Sequence, residues 1–409
     1  MSSPRSARSV HFALAAIFLT LVLDLLGFGL VLPFLAETAR DRFHVSAFVA
    51  ALIAASYSLM QFVFVPFWGA LSDRVGRRPV LLWSVGATCV SWLALFSALT
   101  FGTSVFWLFA ARAFAGVATA NIAAASAYIA DTTSLATRAR GMALIGLGFG
   151  VGFMFGPALG GWLSSYPMYG QAGGLPCLVA AALSAINFVW VYVWLPESLP
   201  VERRRVSAGE RGRPSLLAVL QRPGVGLCVL LNFVIIVSFT NLDQTFRMYH
   251  ADRFGLSPKQ TGMVFAWIGI CGALTQGGVR PLSDKVSAHA MIRSGLVLQA
   301  VGFALLAAAP RLGVWALWLS AAIIAVGNGL TQPSVSAYIS RRAGAQEQGE
   351  VLGASQAWSA MARVIGPAVG GLLYAHVATS APYWSASAGM VIASFAALGL
   401  ARTPPRLEA

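Results

Sequence analysis

Polar residues interrupt this chain only at wide intervals, and the apolar runs between them are about 20 residues or longer, the length a helix needs to cross a bilayer. Twelve runs can be counted, at roughly 12–36, 47–71, 80–101, 104–130, 141–164, 175–196, 225–248, 259–281, 290–309, 313–339, 351–374 and 382–401. A membrane β-barrel would instead alternate apolar and polar residues in short segments. The pattern therefore predicts an all-α integral membrane protein. The block 80–130 is divided only by Phe101-Gly102-Thr103-Ser104, and the count of twelve depends on that hairpin. The first run follows Arg5 and Arg8 and is too long for the apolar core of a signal peptide, so it reads as an uncleaved first helix.

The longest polar break, Glu197 to Pro223, carries Arg203-Arg204-Arg205, Arg211 and Arg213 and splits the spans six plus six. The expected organisation is a bundle over 1–196, a cytoplasmic connector over 197–223 and a second bundle over 224–409. The halves repeat. Phe155-Gly-Pro-Ala-Leu-Gly-Gly161 returns 210 residues later as Ile365-Gly-Pro-Ala-Val-Gly-Gly371, and Ala127-Tyr-Ile129 returns as Ala337-Tyr-Ile339. Leu71-Ser-Asp-Arg-Val75 returns as Leu282-Ser-Asp-Lys-Val286. Three matches in order indicate a duplication with parallel topology, giving twelve transmembrane helices in two pseudo-symmetric six-helix bundles. Transporters built this way bind their cargo near the midplane, between the halves.

Composition agrees: 57% of residues are hydrophobic, 10% are charged and the mean hydropathy is +0.73, where soluble domains carry about 25% charged residues. A net charge of +14 would suggest nucleic acid in a soluble protein. Topology explains it better. With the N-terminus in the cytoplasm, 20 of the 28 Lys and Arg residues fall on the cytoplasmic side, six on the other and two within spans. That is the positive-inside bias, and both termini are then cytoplasmic. No nucleic-acid partner is expected. The four cysteines lie in apolar runs, and there is no Walker loop, zinc motif or nucleophile elbow. Neither a metal, a cofactor nor an enzymatic activity is expected.

Ionisable groups inside hydrocarbon are costly and mark function by default. Asp24 sits in the middle of the first span, Arg112 in the fourth and Arg363 in the eleventh. Asp24 with Arg112 is the leading proton-coupling pair, and the alternative is a permanent buried salt bridge fixing the first span against the fourth. Asp243 and Arg247 are four apart, the spacing of an intrahelical ion pair, and a structural role is favoured there. Among the polar residues that could line a cavity, Gln61, Asn121 and Gln332, with Arg363, are candidates for substrate contact; other amides would serve as interhelical hydrogen bonds. In the fifth span Gly148, Gly152, Gly156 and Gly160 fall four apart, clearing one face for a neighbouring backbone, and Pro157 kinks the helix. Gly161 completes the motif, which returns at Gly366 and Pro367.

The charged hinge Gly69-Ala-Leu-Ser-Asp73-Arg74-Val-Gly76-Arg77-Arg78-Pro79-Val-Leu-Leu82 needs a water-facing loop, since neither flank can hold its charges. It resembles the loop between helices 2 and 3 of the major facilitator superfamily. With Leu23-Asp24-x-x-Gly27-x-Gly29, Arg112-x-x-x-Gly116, the span-5 glycines and Leu195-Pro-Glu-Ser198, nearly the whole chain is similar to the twelve-helix drug:proton antiporters, in the tetracycline-efflux-like branch. The resemblance implies that Asp73 caps the start of helix 11 near Gly349–Gly353. It also implies that Arg74 or Arg77 pairs with Asp131, latching one state. Tetracycline antiporters carry acids in helices 3 and 9, whereas spans 80–101 and 290–309 have none and Ser91 stands where the first would be. The resemblance thus stops short of tetracycline as cargo.

The expected activity is proton-coupled export of a lipophilic small molecule by alternating access, from a monomer in the lipid bilayer. Proton-coupled import of an organic anion or metabolite is the alternative, and lipid transport comes third. Export by exchange has proton and cargo competing for Asp24; import has them binding together. With 26 Arg against two Lys, and much Ala and Gly, a GC-rich bacterial genome and hence the bacterial inner membrane are expected.

Overall fold

The computed structural model describes residues 7–132, 148, 151–152, 155–170, 173–199, 216–222, 224–283, 285–342 and 348–400. These residues are helical throughout apart from short connections. In chain order the helices are α1 (Ala7–Leu30), α2 (Leu35–Phe43), α3 (Ala47–Val75), α4 (Arg77–Thr100), α5 (Phe106–Ala118), α6 (Ile122–Thr132), α7 (155–163) and α8 (Gly174–Trp194). After the short α9 (Leu216–Leu220) come α10 (Val225–Phe254), α11 (Pro258–Ser283), α12 (Ala288–Leu312), α13 (Val314–Arg342), α14 (Gln348–His376) and α15 (Ala381–Ala396). Each of the twelve predicted spans falls mainly on helix where its residues are described. Among the described residues, eight spans are long and apolar enough to cross a membrane on their own, the α5–α6 pair counting as one, and α1 with α2 makes a ninth as a bent pair.

Two spans differ in shape from the expectation. The first stops at Leu30, turns through 31–34 and resumes as α2 at an angle of 41°. Pro33 explains the break, since it lacks an N–H to continue the ladder and disfavours helix at the residue before it. The fourth is interrupted at 119–121, between α5 and α6.

The chain groups into two compact units, one of Met1–Val45 with Ser56–Gly212, the other of Ser46–Ala55 with Arg213–Ala409. In the first, α7 lies against α1 so closely that a Cβ on Gly156 would stand 2.6 Å from the Leu26 carbonyl oxygen, and one on Gly160 would collide with the Leu30 carbonyl. A Cβ on Gly152 would come within 2.6 Å of that of Leu25, while one on Gly148 would make ordinary contact with Leu21. Pro157 and Gly161 are buried beside them. The second unit repeats the arrangement. A Cβ on Gly366 of α14 would collide with the Thr240 hydroxyl of α10, and one on Gly370 would stand 2.8 Å from Asn241 Oδ1; Pro367 lies between the two, inside the helix. With lipid on one side and helix on the other, close backbone approach replaces hydrophobic burial as the source of cohesion.

Candidate functional site

The interruption of the fourth span builds the site. Thr119 turns its hydroxyl back onto the Ala115 carbonyl (2.9 Å), a bond that competes with the regular ladder. Three carbonyls at the break accept from side chains of neighbouring helices. Val117 accepts from Trp68 Nε1 (2.8 Å), Ala118 from Ser84 Oγ (2.5 Å) and Thr119 from Gln61 Nε2 (3.4 Å). Irregular backbone at membrane depth is tolerated only when its polar groups are satisfied in this way.

Asn121 leaves the break and points its Nδ2 at the Asp24 carboxylate of α1, donating at 2.9 Å; the same group contacts Ser84 Oγ at 2.7 Å. A cavity of about 10 Å³ opens beside Asp24, lined also by Tyr57, Ser91, Trp92, Arg112 and Thr119. That is the scale of a single water molecule. Arg112 reaches it from α5 with 2% of its surface exposed, and its guanidinium lies over the Tyr57 ring, 4.4 Å from the centroid. Its Nε has no hydrogen-bond partner among the described residues. The Tyr57 hydroxyl lies 2.7 Å from Thr119 Oγ1, in hydrogen-bond contact, and accepts from Gln61 Nε2 (3.3 Å).

Four of the sequence candidates, Asp24, Arg112, Gln61 and Asn121, are therefore brought together in the first unit. Among the described residues no ion pair joins Asp24 to Arg112: the carboxylate is held by a neutral amide and the guanidinium by an aromatic face. The permanent salt bridge considered from the sequence is absent from this arrangement. Gln332 lies on α13 and Arg363 on α14, both in the second unit, and neither lines this cavity. Ser91, placed where an acid would stand, does line it. Asn232 makes the interhelical bond expected of the other amides, to Ser359 at 2.9 Å.

The charged loop closes on one arginine. Arg77, at the start of α4, pairs with Asp73 (2.5 Å) and, through Nε, with Asp131 at the end of α6 (3.2 Å), and its Nη1 donates to Ser72 (2.6 Å). The Ser72 hydroxyl donates in turn to the Gly69 carbonyl. Arg74 is exposed, and Arg78 donates to the Tyr192 carbonyl (2.7 Å). Gly76 holds the corner with φ of +114°, a backbone region that side chains disfavour. The cap expected from Asp73 falls on 349–353, most of whose side chains lie outside the described residues.

Sequence reasoning missed Glu197. Its Oε1 accepts from the backbone N–H groups of Arg77, Ser198 and Leu199 (2.9, 3.0 and 3.0 Å), and its Oε2 from that of Arg78 (3.2 Å). It caps α4 in place of Gly76, which has no side chain to do so, and the negative charge suits a helix N-terminus. Ser198 adds a bond to Asp131 at 3.3 Å. Leu195-Pro-Glu-Ser198 marked the end of a helix in the sequence, but nothing there located a partner 120 residues away.

The Asp243–Arg247 pair is a correction. Among the described residues no ion pair joins them. The helix α10 ends at Phe254, and Arg247 turns toward the Leu256 carbonyl beyond that end (2.5 Å) and toward Thr261 (3.0 Å). A free carbonyl past a helix terminus is a strong acceptor for a guanidinium.

The family model described as Major Facilitator Superfamily matches residues 17–273 and 228–409. The chain belongs to this superfamily. Among its relatives, the class C tetracycline resistance protein of Escherichia coli is 32% identical over 93% of each chain. Major facilitator superfamily domain-containing protein 10 of Bos taurus is 30% identical over 94% of this chain and 90% of its own. The crystal structure of the human organic anion transporter MFSD10 (TETRAN) aligns with a TM-score of 0.71 and 25% identity, covering 97% of this chain and all of that one. The protein is thus a multi-pass membrane transporter of small molecules with the major facilitator fold, and not an enzyme.

Proposed function

We propose that this transporter is a proton-coupled antiporter that exports a lipophilic small molecule by alternating access, with Asp24 as the proton carrier. The observation that carries the reading is the seat of Asp24: a carboxylate on a transmembrane helix, held by the neutral Asn121 amide, with the Arg112 guanidinium lining the same cavity but stacked on Tyr57. Such a carboxyl can take up or give up a proton without tearing a salt bridge apart, and Arg112 supplies positive charge nearby when the proton leaves. Drug-sized pockets measure about 300–1,000 Å³, so a cavity this small serves a proton and water, and cargo must wait for a wider state. One proton charge is worth roughly 2.3 kcal/mol per 100 mV of membrane potential.

The remaining roles follow. Gln61 and Asn121 in the first unit, with Gln332 and Arg363 in the second, contact cargo. Arg77, Asp73 and Asp131 form the latch, with Gly69, Arg74, Gly76 and Arg78 shaping its loop, and the glycines with Pro157 and Pro367 set the helix packing. The protein works as a monomer in the bacterial inner membrane, both termini cytoplasmic, as bundles over 1–196 and 224–409 joined by 197–223.

A second reading, carriage of an organic anion, is favoured by one observation: the buried Arg112 Nε has no hydrogen-bond partner among the described residues and could take a carboxylate. Proteoliposomes holding a pH gradient separate the two. Lipophilic cations, zwitterions and anions are added while internal pH is followed, for the parent and for Asp24→Asn. Export by exchange has protons moving against the cargo, and only when Asp24 is present. Protons moving with an anion would establish the second reading, and normal coupling in Asp24→Asn would remove Asp24 from the mechanism.

A further inference from the structure

The second unit holds a buried carboxylate that nothing above employs. Asp243 lies in the middle third of α10, 3% exposed, and no hydrogen bond or ion pair reaches it among the described residues. Leaving a charge at that depth without a partner is among the costliest arrangements a membrane protein can contain.

Its own helix carries three basic residues, Arg247, His250 and Arg253, and none of them pairs with it among the described residues. Arg253 Nε donates to Thr379 Oγ1 at 2.7 Å, and His250 Nε2 has no hydrogen-bond partner among the described residues. Arg247 is bound to the Leu256 carbonyl and Thr261. His250, fully buried, has Nδ1 on the same Thr261 hydroxyl (3.2 Å) and its ring against Phe246. The elements packed on α10 bring no counter-charge to this level. The segment 46–55 and α15 contain no charged residue, and α13 contains none before Arg341. On α14, Tyr374 is bonded to Asp252, and Arg363 lies seven residues before Gly370, which packs on Asn241. On α11 and α12 the charged residues stand near the ends, at Lys259, Arg280, His289, Arg293 and Arg311.

We propose that Asp243 is a second proton-exchange site, carried by the second unit and separate from Asp24. With its nearest cations tied to Thr261 and Leu256, the carboxyl carries a proton in the state described here. It releases that proton when the surroundings of α10 change and water or a cation reaches it. The inference rests on the reading that protons drive this carrier, but the site is distinct.

The test needs no cargo. The full chain, reconstituted in liposomes, is examined by infrared difference spectroscopy as the bathing pH is stepped, in the region where protonated carboxylic acids absorb. The parent is expected to show pH-dependent bands from two buried carboxyl groups. Asp243→Asn removes one and leaves the other; Asp24→Asn does the reverse. Asp243→Glu keeps the Asp243 band at a shifted frequency, which preserves the test if the Asn variant does not fold. A spectrum unchanged in Asp243→Asn, or an Asp243 band that does not respond to pH, overturns the proposal. Loss of pH response at the Asp24 band alone would strike the function proposed above and leave this one standing.

Discussion

Helices α4 and α12 begin at matching places in the two repeats, directly after Leu71-Ser-Asp-Arg-Val75 and Leu282-Ser-Asp-Lys-Val286, yet they are capped in opposite ways. The start of α12 is closed locally: Ser287 Oγ accepts from the Ala290 N–H at 3.2 Å. The start of α4 is closed from a distance, by Glu197. A local cap stabilises one helix. A remote cap also ties that helix to the end of α8, so the first-unit loop can report on, and respond to, elements it does not adjoin in sequence. The same divergence runs through the site. Counting 210 residues on from Asp24, Arg112 and Asn121 gives Val234, Ala322 and Thr331. Thr331 still bridges helices, accepting from Gln299 Nε2 at 3.1 Å, but no charge remains. The duplication has kept its backbone contacts, Gly156 on α1 and Gly366 on α10, while its chemistry has separated.

The largest test of this contrast removes the charge from one half. Asp24→Asn should remove most of the cargo-driven proton flux in proteoliposomes; flux equal to the parent's would mean the halves are not divided as argued. Next comes the shared frame. Gly160→Ala and Gly370→Ala should each lower stability by about 1–3 kcal/mol through overpacking, read as matched drops in the thermal midpoint of purified protein. A drop in only one would break the equivalence of the two packings. The caps follow. Glu197→Ala and Ser287→Ala should each cost about 0.5–2 kcal/mol, but only Glu197→Ala should also change the transport rate, measured at a temperature where both variants are fully folded. The smallest effect is expected from Thr331→Ala, which loses an interhelical bond of ~0.6 kcal/mol and should leave flux within about threefold.

What the sequence disclosed and what it hid follow one division. Periodicity, charge and duplication are local or self-comparing signals, and they yielded the spans, the loop at 69–82, the glycine faces and Asp24. The features that needed the structure are those whose partners are distant in the chain or are backbone atoms. Glu197 binds N–H groups, which every residue but proline has, so no side-chain pattern announces it. The break at 119–121 is sustained by Trp68, Ser84 and Gln61 from other helices. Asp243 and Arg247 show the reverse error: spacing alone predicted a pair, and a carbonyl beyond the helix end proved the better acceptor.

That break also bears on how the transporter can change over generations. Its acceptors are the carbonyls of residues 117–119, present whatever side chains stand there, while its donors are the side chains of Trp68, Ser84 and Gln61. Tolerance to mutation should therefore be lopsided, with the donors held fixed and the half-buried Val117 freer to drift. Such an arrangement lets a lineage vary the residues beside the Asp24 cavity without dismantling the bend that holds it open.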